Sequence, residues 1–151
     1  MSERSGRLAG FLPYQLSVAS NAVSALIAER YRNRFALTIP EWRVMAVLGD
    51  GEALSQRALT EATLMDKVAV NRAVKVLEQR GLVARLPNPA DGRSQLLELT
   101  GEGRAIHAEV MPLALATERE LLGGLDPEEE AALRRLLMRI RARAGELSSA
   151  K

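Results

Sequence analysis

The stretch Leu77–Thr100, "LEQRGLVARLPNPADGRSQLLELT", decides the fold. It opens on the end of an apolar-periodic segment, stops at Gly81, and continues as two short apolar runs, "LVARL" and "SQLLEL". Between them lies "PNPADGR", with two prolines, an Asn and an Asp-Gly pair, the composition of a loop joining antiparallel strands. Thr100 then stands where a helix cap belongs. The stretch therefore predicts helix, hairpin, helix. Near its tip it carries Asp91 and Arg93, which a plain connector does not require.

Working toward the N-terminus, "DKVAVNRAVKVLEQRG" (66–81) predicts a helix capped by Asp66 and ended by Gly81. At 100° per residue Val70, Ala73, Val74 and Leu77 share one narrow arc and form the core face. The opposite face carries Lys67, Val68, Asn71, Arg72, Lys75 and Gln79. Arginine pairs with guanine edges, Asn or Gln with adenine, and a small apolar group with a thymine methyl, so this face suits a DNA major groove. An ordinary solvated helix face has similar composition, and the hairpin that follows tips the balance to DNA. Upstream, "LSQRALTEATLM" (54–65) predicts a short helix with Ser55 as N-cap. Two helices, a tight connection and a two-stranded hairpin make a winged helix-turn-helix. Arg85 and Arg93 flank the wing loop, where an arginine can enter a narrow minor groove. Asp91 either holds the Arg93 guanidinium through a bidentate pair or forms a surface salt bridge of little weight.

The rest of the chain is helical by pattern. A first helix is expected from about Leu8 to Arg34, with Leu12, Leu16, Ala19, Val23, Leu26 and Ile27 at helical spacing. "TIPEWRVMAVLGDG" (38–51) begins a second, Thr38 and Glu41 having capping-box spacing and Gly49 or Gly51 ending it. Thr100 caps a long helix to about Leu122, bent at Pro112. Asp126 and Pro127 start a last helix, with a frayed tail after Gly145.

Composition narrows the chemistry. With 151 residues, 47% hydrophobic and 26% charged, the chain suits one soluble globular domain. It has no cysteine and one histidine, His107, so thiolate sites, disulfides and a histidine-built metal site are excluded, and no cofactor is expected. No Gly-rich phosphate loop or paired-carboxylate constellation appears, which argues against an enzyme. No apolar run reaches a membrane span and the N-terminus lacks a secretory pattern, so a cytoplasmic location and no membrane partner are expected. Net charge is +2, but seven basic residues face four acidic ones between Ser55 and Arg93, a distribution compatible with nucleic-acid binding that by itself discriminates poorly.

"LEQRGLVAR" followed by "PNPADGRSQLLELTGEGR" resembles the multiple-antibiotic-resistance regulator (MarR) family of bacterial transcription factors. The wing pattern is Asp-x-Arg, then a strand ending Leu-Thr with a Gly shortly after; Asp91, Arg93, Leu99, Thr100 and Gly103 match it. The element order agrees along nearly the whole chain. The resemblance implies a mainly α fold with a small β-hairpin wing: a winged helix-turn-helix lobe over 37–100, flanked by a helical dimerisation region over 1–36 and 101–151. It implies a homodimer on a pseudo-palindromic double-stranded DNA operator, acting as a repressor released by a small aromatic-acid or phenolic effector. The implied DNA-binding residues are Lys67, Val68, Asn71, Arg72 and Lys75 on the recognition helix and Arg85, Asp91 and Arg93 on the wing. Leu133, Leu136, Leu137 and Ile140 suit the dimer contact or intramolecular packing. Tyr14, Gln15, Trp42 and Arg43 are the candidate effector site, Arg43 for a carboxylate beside aromatic rings; core packing of Trp42 and a solvated Arg43 are the alternative. His107 is either a polar pocket group or a surface or structural histidine. A winged-helix protein-interaction module without DNA binding is the competing function, and the retained basic set argues against it.

Overall fold

Except in the first helix, where Phe11 precedes Leu12 with no side-chain cap, helix starts in this protein fall where a short polar residue can take up an orphan backbone N–H. The computed structural model describes residues 7–150. Helix α1 spans Leu12–Phe35, α2 Ile39–Gly49, α3 Gln56–Thr63, α4 Lys67–Gln79, α5 Gly101–Leu122 and α6 Pro127–Ser149. Strand β1 is Leu54–Ser55, β2 Val83–Pro87 and β3 Gln95–Leu99. Thr38 and Glu41 cap α2 reciprocally, as their spacing predicts. Ser55 Oγ accepts from Ala58 N at 3.1 Å, and Asp66 Oδ1 from Ala69 N at 2.8 Å. The end of α4 is a Schellman turn: Leu82 N donates to Leu77 O at 2.9 Å, Gly81 N donates to Glu78 O at 3.0 Å, and Gly81 takes φ 72°.

Three expectations need correction. Helical structure is present at residues 7–9, as the expected start at Leu8 implied, but it is interrupted at Gly10 and the extended Phe11, and α1 runs from Leu12 with Pro13 in its first turn. Helix α6 runs past Gly145 to Ser149. The wing is a three-stranded sheet of order β1-β3-β2, not a two-stranded hairpin. Leu54 pairs with Leu97 and Ser55 with Leu96, while Val83 pairs with Leu99 and Pro87 with Gln95. A two-residue strand has no period of its own; β1 exists because β3 offers it an edge. The first six residues of the expected 1–36 region, and residue 151, lie outside the described residues.

The chain divides into two compact units, Met1–Ala114 and Leu115–Lys151. The core of the first is aliphatic. Val70, Ala73, Val74 and Leu77 of α4 join Val44, Met45 and Leu48 of α2, Leu59 of α3, and Leu97 and Leu99 of β3, all buried. Burying a Leu or Val side chain contributes about 1.5–3 kcal/mol, so this cluster dominates the unit's stability. The Arg80 guanidinium donates to Phe35 O at 2.8 Å and Ala36 O at 3.0 Å, satisfying carbonyls at the end of α1 and tying that end to α4. In the second unit Asp126 and Glu129 form a capping box, and Arg134 reaches Glu130 at 2.9 Å. No residue of α6 is buried, and Leu133, Leu136, Leu137 and Ile140 are exposed.

Leu64 caps α3 in the left-handed region, φ 58° and ψ 28°, with its side chain 76% exposed. A side chain there costs about 1–2 kcal/mol of backbone strain. Glycine would relieve it and lose part of the gain to a more flexible unfolded chain. Leu64→Gly is therefore expected to raise stability by about 0.5–1 kcal/mol in urea denaturation. A loss of stability would mean that the exposed leucine carries packing that this geometry does not account for.

Candidate nucleic-acid interface and effector cavity

Because α4 buries one face, it presents the other. Lys67, Val68, Asn71, Arg72 and Lys75 are all exposed, opposite the buried Val70, Ala73, Val74 and Leu77. Among the described residues Lys67, Arg72 and Lys75 have no hydrogen-bond or ion-pair partner for their side-chain charges. Asn71 is engaged: Gln56 Nε2, at the first position of α3, donates to Asn71 Oδ1 at 2.7 Å. Arg57 reaches Glu61 at 3.6 Å with both side chains well exposed, a pairing too loose and too hydrated to hold its charge in place.

The wing separates the roles of its three predicted residues. Arg85 is clamped to Glu78 of α4, Nε lying 3.0 and 3.1 Å from the two carboxylate oxygens and Nη2 2.8 Å from Oε1. It thus fastens β2 to the recognition helix. Asp91 does not grip the Arg93 guanidinium as the bidentate alternative required; its Oδ1 accepts the backbone N–H of Arg93 at 3.0 Å. That is an Asx-type turn, which shapes the loop rather than neutralising the arginine. Residues 88–94 form a seven-residue loop, longer than a tight Asp-Gly hairpin turn. Asn88 Nδ2 donates to Ser94 Oγ at 2.8 Å, and Asn88 Oδ1 accepts from Ala90 N at 3.0 Å. Arg93 is exposed and has no partner for its guanidinium among the described residues. A 560 Å³ groove separates the wing from the start of α3, lined in part by Gln56, Arg57, Arg85, Asn88 and Arg93. Sequence reading missed Gln56, Arg57 and Asn88. Asn88 had a signal, an Asn between two prolines; for the other two the sequence shows the buried side of α3, Leu59 and Thr63, but not that the start of the helix faces the wing.

A second cavity, 180 Å³, lies between α1 and α2, lined by Ser24, Ile27, Tyr31, Ile39, Trp42 and Arg43, among others. Trp42 and Arg43 meet there as expected. Tyr14 and Gln15 do not: Tyr14 is exposed 17 residues before Tyr31, about 25 Å along the helix, and Gln15 donates to Ala9 O at 2.9 Å. Ser24, Ile27 and Tyr31 take their place, and their i, i+3, i+7 spacing is a single helical stripe that could have been read. Tyr31 and Trp42 ring centroids are 5.9 Å apart and Trp42 and His107 5.6 Å, so three rings meet in series, tilted by 47° and 32° to one another. Burial pushes the Tyr31 hydroxyl pKa up and the His107 pKa down, the latter opposed by Asp50. His107 is thus a neutral ring behind the cavity wall, and a Cβ on Gly49 would collide with it. Arg43 is half-buried at the cavity, with no ion-pair partner among the described residues.

Among the described residues no cluster of His, Cys, Asp and Glu could hold a metal ion, and no helix is long and apolar enough to cross a membrane. The sequence profile of the MarR family matches residues 37–94. The transcriptional regulator HosA of Escherichia coli O111:H- is 35% identical over 104 residues, 69% of this chain and 77% of that protein. A MarR family regulator from Silicibacter pomeroyi DSS-3 superposes with a TM-score of 0.74 at 33% identity, over 88% of this chain and 96% of that one. Bordetella bronchiseptica BpsR, whose DNA binding is regulated by 6-hydroxynicotinic acid, gives a TM-score of 0.79 at 29% identity, over 88% and 94% of the two chains.

Proposed function

The chain belongs to the MarR family of non-enzymatic, DNA-binding transcriptional regulators, and from that premise we propose that it is a homodimeric repressor released by a small aromatic acid. The observation that carries the reading is the set of cations without a partner among the described residues, Lys67, Arg72, Lys75 and Arg93, exposed on a helix-turn-helix and its wing. Lys67, Val68, Asn71, Arg72 and Lys75 enter the major groove; Arg93 enters the adjacent minor groove. Arg85 and Asp91 shape the wing. The lobe over 37–100 binds DNA, and the regions 1–36 and 101–151 make the dimer. Exposed Leu133, Leu136, Leu137 and Ile140 on α6 support that assignment, since an apolar helix face in water is unfavourable until covered. Two copies of α4 then address half-sites of a pseudo-palindromic operator spaced about 34–36 Å apart. The protein works in the cytoplasm, where its operator is.

The effector reading rests on the α1–α2 cavity and on the likeness to BpsR. A space of 180 Å³ is close to the roughly 150 Å³ that holds one benzene ring. Trp42 and Tyr31 supply flat walls, and the Arg43 guanidinium suits a carboxylate.

The test is fluorescence anisotropy against a duplex selected by the protein from a random pool. Raising salt from 50 to 200 mM should weaken binding by roughly 10³- to 10⁵-fold if about six to ten phosphates are contacted. Benzoate or 6-hydroxynicotinate should release the duplex from the wild type and not from Arg43→Gln, whose DNA affinity should be unchanged. Recovery of no preferred duplex would favour the protein-interaction module. Release of both proteins alike would sink Arg43 as the carboxylate partner.

A further inference from the structure

The Gln56–Asn71 bond joins the first position of α3 to the exposed face of α4, 15 residues away in sequence. Like the Arg85–Glu78 clamp, it holds a side chain of α4 from outside its own helix, and of the two it is the one that engages a carboxamide. An asparagine carboxamide can turn over about its last torsion with little cost, exchanging its oxygen and its amide nitrogen. Base readout is sensitive to that exchange. Adenine in the major groove offers N7 as acceptor and N6 as donor, so Asn must present a donor to one and an acceptor to the other. Gln56, bonded to Asn71 at 2.7 Å, fixes where the Asn71 carboxamide sits on the exposed face of α4. The oxygen keeps a second lone pair, and both Nδ2 hydrogens stay free, so the bound carboxamide can still pair with a base in a bidentate fashion. Gln56 itself lines the groove beside Arg57 and Arg93 and also the surface beside Lys67. It therefore sits among the cations that face the phosphates, next to the residue that faces a base.

We infer that Gln56 is a positioning residue for sequence readout: it holds the Asn71 carboxamide in place on the exposed face of α4 and so sharpens the preference for adenine at one base pair of each half-site. This rests on the reading that α4 enters the major groove. An isolated asparagine would meet the base in either orientation and lose part of its discrimination to ordering; the pair meets it already ordered.

The experiment titrates the full-length protein and its variants Asn71→Ala, Gln56→Ala, Gln56→Glu and the double alanine variant. Each is measured against the duplex selected by the wild type and its single-base substitutions across one half-site. Asn71→Ala should erase discrimination at one base pair by about fivefold to a hundredfold. Gln56→Ala should weaken discrimination at that same pair, with other positions, the salt dependence and the thermal midpoint unchanged. The double variant should discriminate no worse than Asn71→Ala, because the two residues act through one contact. In Gln56→Glu the carboxylate can only accept, so it can hold Asn71 only through Nδ2, and the adenine preference should change at that same base pair. A uniform loss across all duplexes on Gln56 replacement, or additivity in the double variant, overturns the inference while leaving Asn71 as a reader. No positional effect of Asn71→Ala overturns the major-groove reading of α4 and this inference with it.

Discussion

Gly103→Ala is expected to destabilise the protein by about 1–3 kcal/mol, although alanine is the better helix former. Gly103 is the third residue of α5, where the exchange would by propensity alone gain up to about 1 kcal/mol. The tertiary setting reverses the sign. A Cβ built on Gly103 would collide with the carbonyl oxygen of Leu82 and press on Leu99, whose Cδ2 would lie 3.3 Å away. Neither can retreat easily. Leu82 is buried, its carbonyl accepts from Thr100 N at 3.0 Å, and its own N–H completes the turn that ends α4. Thr100 Oγ1 meanwhile donates to Gly81 O at 2.6 Å and accepts from Gly103 N at 3.1 Å. Three segments cross here: the end of the recognition helix, the exit of the wing and the start of α5. In thermal denaturation each kcal/mol should lower the midpoint by about 2–4 °C for a chain of this size. Gly101→Ala, two residues earlier with open space around it, should be neutral or better. Equal behaviour of the two variants would show that the crossing is not tight.

Arg93→Ala is expected to weaken operator binding by about 1–3 kcal/mol, roughly fivefold to 150-fold, with the thermal midpoint unchanged. Stability should not respond, because the guanidinium is exposed and touches no partner among the described residues. Binding should respond, because the loop is ordered before DNA arrives. Asp91, Asn88 and Ser94 hydrogen-bond within residues 88–94, so little conformational entropy is lost when the arginine docks. Arg93→Lys should recover only part of the loss, since a lysine ammonium is more strongly hydrated and enters a narrow groove at greater cost. Wild-type affinity of Arg93→Ala at several salt concentrations would remove the wing from the interface. Arg85→Ala should behave differently: the clamp to Glu78 is broken, so stability should fall together with affinity.

Local order was legible wherever it depends on neighbours in sequence. Thr38 with Glu41, and Ser55, Asp66, Thr100 and Asp126, each act as the cap that their position implied. The two faces of α4 follow from its period, because a helix with four apolar residues on one arc has one way to bury them. Charge on the other face and the Asp-x-Arg wing with Leu99, Thr100 and Gly103 were sufficient to indicate the MarR family and the winged-helix fold, which the comparisons show. Apart from the ends of α1 and α6, errors fell where two distant segments meet. Strand β1 needed the edge of β3, the cavity needed the stripe of Ser24, Ile27 and Tyr31 against Trp42, and Tyr14 and Gln15 lay on the wrong turns of α1.

The amino-acid sequence by itself determined the element order, the caps, the buried arc of α4 and the wing motif, because each is written in residues three to five apart or in a short contiguous run. Only the tertiary structure decided what the polar side chains are for. Arg85 is a clamp, Asp91 a turn former, Arg80 a cap on a helix 44 residues upstream, and Gln56 the partner of Asn71. A carboxylate, guanidinium or carboxamide can bond to many groups, and its partner is chosen by which backbone the packed core brings within about 3 Å. Periodicity carries no record of that choice.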